Sequence, residues 1–226
     1  MQNLNFWQVD AFTAKPFKGN PAAVFILDEP LEDKLMLNIA KEMNLSETAF
    51  LVLKPDSNPY LRWFTPMFEI DLCGHATLAT AHVYFSEYFS SLNEVTFDTK
   101  YAGPLKVVKN DDYMTMDFPS RPGKVIRFND VPNFVYKALS NINPIDVKQS
   151  RDLMLVYENE ETILNMKPDF HALMQYDGFI IVTAKTKNTE FDFISRFFCA
   201  SDGIQEDPVT GSAHSTLTPY WSEKLE

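Results

Sequence analysis

Glu206-Asp207-Pro208-Val209-Thr210-Gly211-Ser212-Ala213-His214 has a counterpart far upstream in Asp71-Leu72-Cys73-Gly74-His75-Ala76-Thr77. In each stretch an acidic residue precedes a short turn, the turn ends on glycine, and small or polar residues open a helix. Helical character follows in both, over 76–85 and 213–224. Glycine at a helix start lets backbone come close to a ligand, and the unsatisfied N–H groups there, with the helix dipole, favour an anion. One such start in each half predicts two similar lobes whose helix ends face a shared cleft holding an acidic metabolite.

Outward from these motifs, the first half alternates strand and helix patterns. Strands are predicted over 4–12 and 21–27, separated by the turn signal Lys18-Gly19-Asn20-Pro21. Leu35, Ile39 and Met43 at helical spacing predict an amphipathic helix over 33–44. Two further strands, 48–53 and 60–65, flank a proline-bounded loop. The helix after Gly74 is small or apolar nearly all round and is expected to be buried. A three-strand meander follows over 95–118, with turns at Tyr101-Ala102-Gly103-Pro104 and Asn110-Asp111-Asp112. Pro119-Ser120-Arg121-Pro122-Gly123 is the best linker, giving an N-terminal lobe 1–118 and a C-terminal lobe 119–226. The second half offers a helix over 131–139, strands near 153–157 and 179–183, and the run 191–199 into the second glycine motif. The fold class is α+β, with a long-period repeat of strands plus one apolar helix entered through a glycine.

Composition narrows the function. A chain of 226 residues, 45% hydrophobic and 14% aromatic, can bury a sizeable core and is not disordered. A net charge of −11 removes nucleic acid from the expected partners and leaves an anionic substrate to be held by local helix ends. No apolar run approaches membrane-spanning length, and Met1-Gln2-Asn3-Leu4-Asn5 lacks the features of a signal peptide, so no membrane partner is expected. Two cysteines, Cys73 and Cys199, are too few for a disulfide framework and indicate the reducing cytoplasm.

Familiar cofactor motifs are missing: there is no Gly-x-Gly-x-x-Gly, P-loop, Cys-x-x-Cys or His-Glu-x-x-His. His75 and His82 roughly share a helix face, but no carboxylate or thiolate completes a ligand set, so neither metal nor cofactor is expected. Moving a proton on a small acid is the chemistry left to carboxylates, imidazoles and helix ends. Glu47, between a helix end and an apolar strand, is either a solvent-facing strand entry or a partly desolvated carboxylate fit for acid–base work. Asp207, extended by Pro208, caps the following turn, binds a substrate hydroxyl or amine, or does both. His75 at a helix start is either a neutral hydrogen-bond donor to substrate or tied to a backbone carbonyl. Cys73 reads first as a small buried hydrophobe and second as a reactive thiolate. His82 is expected in the core and His171 on the surface, while Arg62-Trp63-Phe64 and Phe197-Phe198 read as core or cleft wall.

Four segments together resemble the phenazine-biosynthesis PhzF-like family. They are Asp10-Ala11-Phe12-Thr13 with Phe17-Lys18-Gly19-Asn20-Pro21-Ala22-Ala23-Val24; Leu45-Ser46-Glu47-Thr48-Ala49-Phe50; Leu72-Cys73-Gly74-His75-Ala76-Thr77; and Glu206 to His214. The resemblance implies a diaminopimelate epimerase-like fold: two similar lobes, each a β-barrel-like sheet around a central helix, with the active site between them. It implies a cofactor-independent isomerase that moves a proton on a small cyclic or amino carboxylic acid. Glu47 matches the catalytic acid/base, and Asn20, Gly74, His75, Asp207, Gly211 and Ser212 match substrate-binding positions. A homodimer is implied as well. Cys73 falls where related epimerases place one of two catalytic cysteines, but the second motif has no cysteine, so a carboxylate mechanism is preferred to two-thiol racemisation. An epimerase using Cys73 and a non-catalytic small-acid binding protein are the alternatives. The chain ends just after the second central helix, where family members usually continue into further strands. The expectation is a second lobe that is naturally short or lacks its last strands.

Overall fold

The computed structural model describes residues 3–111, 113–202, 204–207 and 209–225. The proline expected to extend Asp207, Pro208, and the last residue of the 110–112 turn lie outside the described residues. The chain divides into two compact units, Met1–Pro119 and Ser120–Glu226.

In the first unit the strands are β1 (Phe6–Ala11), β2 (Asn20–Leu27), β3 (Glu47–Val52), β4 (Tyr60–Phe64), β5 (Glu69–Ile70), β6 (Glu94–Thr99), β7 (Leu105–Asn110) and β8 (Tyr113–Met116). They form one sheet in the order β1-β2-β3-β4-β6-β7-β8, with β5 paired to β4. Neighbours are antiparallel except β2 with β3 and β4 with β6. Helix α1 (Asp33–Met43) makes the first parallel crossover, ending on Asn44 in the left-handed conformation at φ 52°. Its buried stripe runs through Met36 and Ala40, with Leu35 exposed.

Strand alternation divides the core in two. Ala22, Val24, Ala49, Leu51, Leu61 and Trp63 face α2 (Gly74–Val83), which is buried almost all round as its composition predicts. Ala23, Phe25, Leu27, Phe50, Val52 and Phe64 face α1. On α2, Leu78 is half-buried and His82, one turn on, is exposed. His82 is therefore not the core histidine expected, because it lies on the one stripe of that helix the sheet leaves open.

The second unit is built on β9 (Lys124–Val125), β10 (Asp146–Gln149), β11 (Leu153–Val156), β12 (Ile180–Lys185), β13 (Phe193–Cys199) and β14 (Ile204–Asp207). Their order is β14-β13-β12-β11-β10-β9, with β11 and β12 parallel. Short helices α3 (Asn133–Leu139), α4 (Glu160–Leu164) and α5 (Phe170–Leu173) cover the face carrying Leu153, Leu155, Ile180 and Val182. Helix α6 (His214–Leu225), entered through a 3-10 turn at Gly211–Ala213, packs Leu217, Tyr220 and Trp221 on Met154, Val156, Ile181 and Phe197 of the opposite face.

Pro219 lies inside α6 and has no N–H for the Ser215 carbonyl. The Arg121 N–H binds that carbonyl instead, at 2.8 Å, and Thr216 Oγ1 donates to the Arg121 carbonyl at 3.1 Å. The proline-rich segment after Pro119 is thereby fastened to the helix. The fold is α+β, with a half-barrel sheet and a central helix in each unit. Among the described residues no helix is long and apolar enough to cross a membrane.

Candidate active site

Glu47 opens β3 opposite Ala22 of β2. Two residues on, Ala49 faces α2, so the period of the strand turns Glu47 to that face as well. Its side chain is 18% exposed, and the solvent-facing alternative is not what the structure holds. Helix α2 begins directly over this end of the sheet. Cys73 precedes it in extended backbone, Gly74 is its first residue, and His75, buried, is its second.

The glycine sits close against Phe118. A Cβ at Gly74 would lie 2.8 Å from Cζ of Phe118 and 3.1 Å from its Cε2, so any side chain must displace that ring. The first turn is fixed by Thr77, whose N–H and hydroxyl both donate to the Cys73 carbonyl, at 3.3 Å and 2.5 Å.

His75 bridges two reactive groups. Its Nε2 is 3.2 Å from Glu47 Oε2, and its Nδ1 is 3.5 Å from Cys73 Sγ. The approach to Glu47 is within ion-pair distance but not in hydrogen-bond geometry, and the donor in the Nδ1–Sγ contact is set by the ring tautomer. The imidazole thus stands beside a mostly buried carboxylate, a group whose type can take up and return a proton. Glu47, Cys73 and His75 each offer a ligand atom within 4.8 Å of the others. A carboxylate and a thiol thus do stand beside His75, contrary to the expectation from spacing along α2, because Glu47 comes from β3.

In the second unit, Asp207 ends β14 opposite Phe197. Its Oδ1 accepts from the Val209 N–H at 3.2 Å and its Oδ2 from the Thr210 hydroxyl at 2.5 Å, so it caps the turn into Gly211. Ser212 sits in the 3-10 turn, and its Oγ accepts from Arg151 Nη2 at 3.0 Å. Arg151 is held in place by Asp152, 2% exposed, through Nε and Nη2 at 2.8 Å and 2.9 Å. Nothing in the local sequence marked Arg151: Ser150-Arg151-Asp152 is a hairpin turn distant along the chain from the glycine motif.

The sequence-predicted residues thus fall into two groups. Glu47, Gly74 and His75 converge in the first unit. Asn20, the first residue of β2, is on the α2 face by strand period, two residues before the partner of Glu47. Asp207, Gly211 and Ser212 share one segment of the second unit. His171 is on the surface and Cys73 is buried, as read from the sequence.

Comparison with known proteins places this architecture. Residues 9–226 match the sequence profile of the PhzC-PhzF family, described as phenazine biosynthesis-like protein. An uncharacterized isomerase of Halalkalibacterium halodurans is 46% identical over 229 residues, spanning 100% of this chain and 84% of the relative. The crystal structure of a phenazine biosynthesis protein of the PhzF family from Enterococcus faecalis superposes with a TM-score of 0.84 at 44% identity, covering 98% of this chain and 83% of that one. A predicted epimerase from Pseudomonas aeruginosa, 20% identical, has the same fold at a TM-score of 0.73 over 99% of this chain and 83% of its own.

Proposed function

The chain belongs to the PhzC-PhzF family of phenazine biosynthesis-like proteins, and from that premise we propose that it is an isomerase moving a proton on a small carboxylic acid, with Glu47 as acid and base. The observation that carries this reading is the 3.2 Å contact of Glu47 Oε2 with His75 Nε2, at a sheet end beside a glycine-opened helix. A carboxylate held there removes a proton from carbon and returns it elsewhere, which needs no metal or organic cofactor. His75 keeps the carboxylate oriented. The preference for an acid is supported by the second unit. Because Ser212 Oγ accepts from Arg151, its own hydrogen is left to donate to an acceptor such as a carboxylate. Asn20, Gly74, Asp207 and Gly211 are assigned to the substrate's remaining polar groups.

A thiol-based epimerase is the second reading, favoured by the 3.5 Å approach of Cys73 Sγ to His75 Nδ1. It lacks a second thiol: Thr210 stands before Gly211 as Cys73 stands before Gly74, and a threonine hydroxyl is no base at neutral pH. The test is incubation with a panel of carboxylated metabolites in deuterium oxide, followed by mass spectrometry. Deuterium entering carbon of one compound, with none entering when Glu47→Gln is used, is the expected result. Undiminished exchange by Glu47→Gln overturns the carboxylate mechanism, and binding without exchange by the unaltered protein overturns catalysis. Assembly as a homodimer belongs to the same proposal and is overturned by light scattering that shows a monomer at micromolar concentration.

A further inference from the structure

We propose that Cys73, His75 and Glu47 form a site for a thiophilic divalent cation of the zinc type, and that its occupation blocks the centre. Binding of the ion rests on donor geometry alone, whereas the block of the centre rests on the isomerase reading. Thiolate, imidazole and carboxylate are the three side-chain donors zinc accepts most readily. In a tetrahedral site with Zn–S of about 2.3 Å and Zn–N of about 2.0 Å, bound sulfur and nitrogen stand about 3.5 Å apart. Cys73 Sγ and His75 Nδ1 are already 3.5 Å apart. The third donor comes from Glu47, with all three ligand atoms inside 4.8 Å of one another. Closing that triangle takes shifts of about an ångström.

The surroundings favour a bound ion. Cys73 and His75 are each 5% exposed, and the Glu47 side chain is 18% exposed. The helix start disfavours a cation, but the effect is small beside two negative ligands. Binding expels the thiol proton to solvent, so affinity rises with pH. Three protein ligands leave a fourth position for water, which makes the site open to exchange. With its oxygen on the metal, Glu47 is no longer able to take a proton. The metal is therefore an inhibitor.

The test uses the reduced full-length chain with Co²⁺ and Zn²⁺ as probes. One Co²⁺ per chain is expected, with a near-ultraviolet thiolate-to-cobalt absorption that Zn²⁺ abolishes by displacement. Cys73→Ser should remove the absorption, and Cys199→Ser should keep it. His75→Gln and Glu47→Gln should each weaken affinity about tenfold or more. Zn²⁺ should also protect Cys73 from alkylation in the unaltered protein, mapped by peptide mass spectrometry, which needs no folded variant. Absorption that survives Cys73→Ser, undiminished affinity in Glu47→Gln, or alkylation of Cys73 unchanged by stoichiometric Zn²⁺ overturns the site.

Discussion

In the first unit Arg62 of β4 grips Glu69 of β5 through Nε–Oε1 at 2.6 Å and Nη2–Oε2 at 2.7 Å; in the second, Arg196 of β13 grips Glu206 of β14 through the same atom pairs, both at 2.7 Å. Each guanidinium also lies 5.1 Å from the ring two residues on, Phe64 or Phe198. Strand register agrees, since Phe64 pairs with Glu69 and Phe198 with Glu206. From each glutamate the chain runs five residues to a glycine, Gly74 or Gly211. A bidentate arginine–carboxylate pair fixes the short strand, and the short strand aims the helix start. On this common frame the reactive positions differ: Cys73 corresponds to Thr210 and His75 to Ser212. Where Glu47 enters β3 toward α2, Phe179 fills the matching place before β12, packed on the α6 side. The repeat supplies a frame twice and, among the described residues, the Glu47–Cys73–His75 cluster once.

If that asymmetry is right, the largest effect belongs to Glu47. Glu47→Gln preserves the shape beside His75 but removes the proton acceptor. Solvent exchange should fall by about 10²–10⁴-fold, read by deuterium incorporation, with the fold unchanged by circular dichroism. Loss below about tenfold would break the comparison at its central point.

The braces test the shared half of the comparison. Arg62→Met strands Glu69, whose side chain is 14% exposed, with Lys100 as its remaining cation at 2.8 Å. Arg196→Met strands Glu206, 32% exposed, and also removes the Nη1 hydrogen bonds to the Ile163 and Met166 carbonyls at 3.1 Å and 2.8 Å. Charged hydrogen bonds of this kind contribute about 1.5–3 kcal/mol, and solvent screening reduces the more exposed pair. Denaturant unfolding should show a loss of about 2–3 kcal/mol for Arg62→Met and about 1 kcal/mol for Arg196→Met. Equal losses would mean that exposure does not rank the two braces.

Acid should sharpen the same contrast. Burial pushes the Glu69 carboxyl up, but hydrogen bonds and charge from Arg62 and Lys100 together bring it below the ordinary value of 4.5. A lowered carboxylate contributes stability that is present above the unfolded value and is lost as pH falls through the folded one. The stability gap between the unaltered protein and Glu69→Gln should therefore be full near neutrality and shrink below about pH 4.5. A gap that is constant across this range would show that the pair is held by packing and not by charge.

Much of this frame was legible in the sequence. Period and composition placed α1, β3, β4 and the buried α2, because long amphipathic or apolar runs carry their own signal. The two- and four-residue strands β5 and β14 were not legible, since pairing and not propensity makes them strands. Asp71 and Asp207 looked like counterparts because each is an acidic residue before a short turn that ends on glycine. Register instead aligns Asp207 with Ile70, a shift visible only once Arg62–Glu69 and Arg196–Glu206 are laid side by side. Glu47 illustrates the same limit: its local sequence allowed a solvent-facing carboxylate, and the face it takes is set by the strand that Ala49 and Leu51 anchor in the core.

The smallest expected effect is that of Cys73→Ser, and it separates the two readings of the first unit. The Cys73 thiol is in contact with His75 Nδ1, and a hydroxyl in the same place can donate or accept there as the thiol does. The approach of His75 Nε2 to Glu47 Oε2 does not involve the sulfur and is expected to persist. Exchange by Cys73→Ser should therefore stay within about tenfold of the unaltered protein, below the loss typical of a removed acid or base. In a thiol-based epimerase sulfur itself takes the proton, and a serine hydroxyl is far too weak a base to replace it near neutral pH. Activity would then collapse in Cys73→Ser and persist in Glu47→Gln, reversing the order of these predictions. Because Thr210 already stands at the corresponding place in the second unit, the serine variant puts a hydroxyl before both glycines. Persistent activity in that variant would put the asymmetry of the reaction in Glu47 and His75, not in the cysteine.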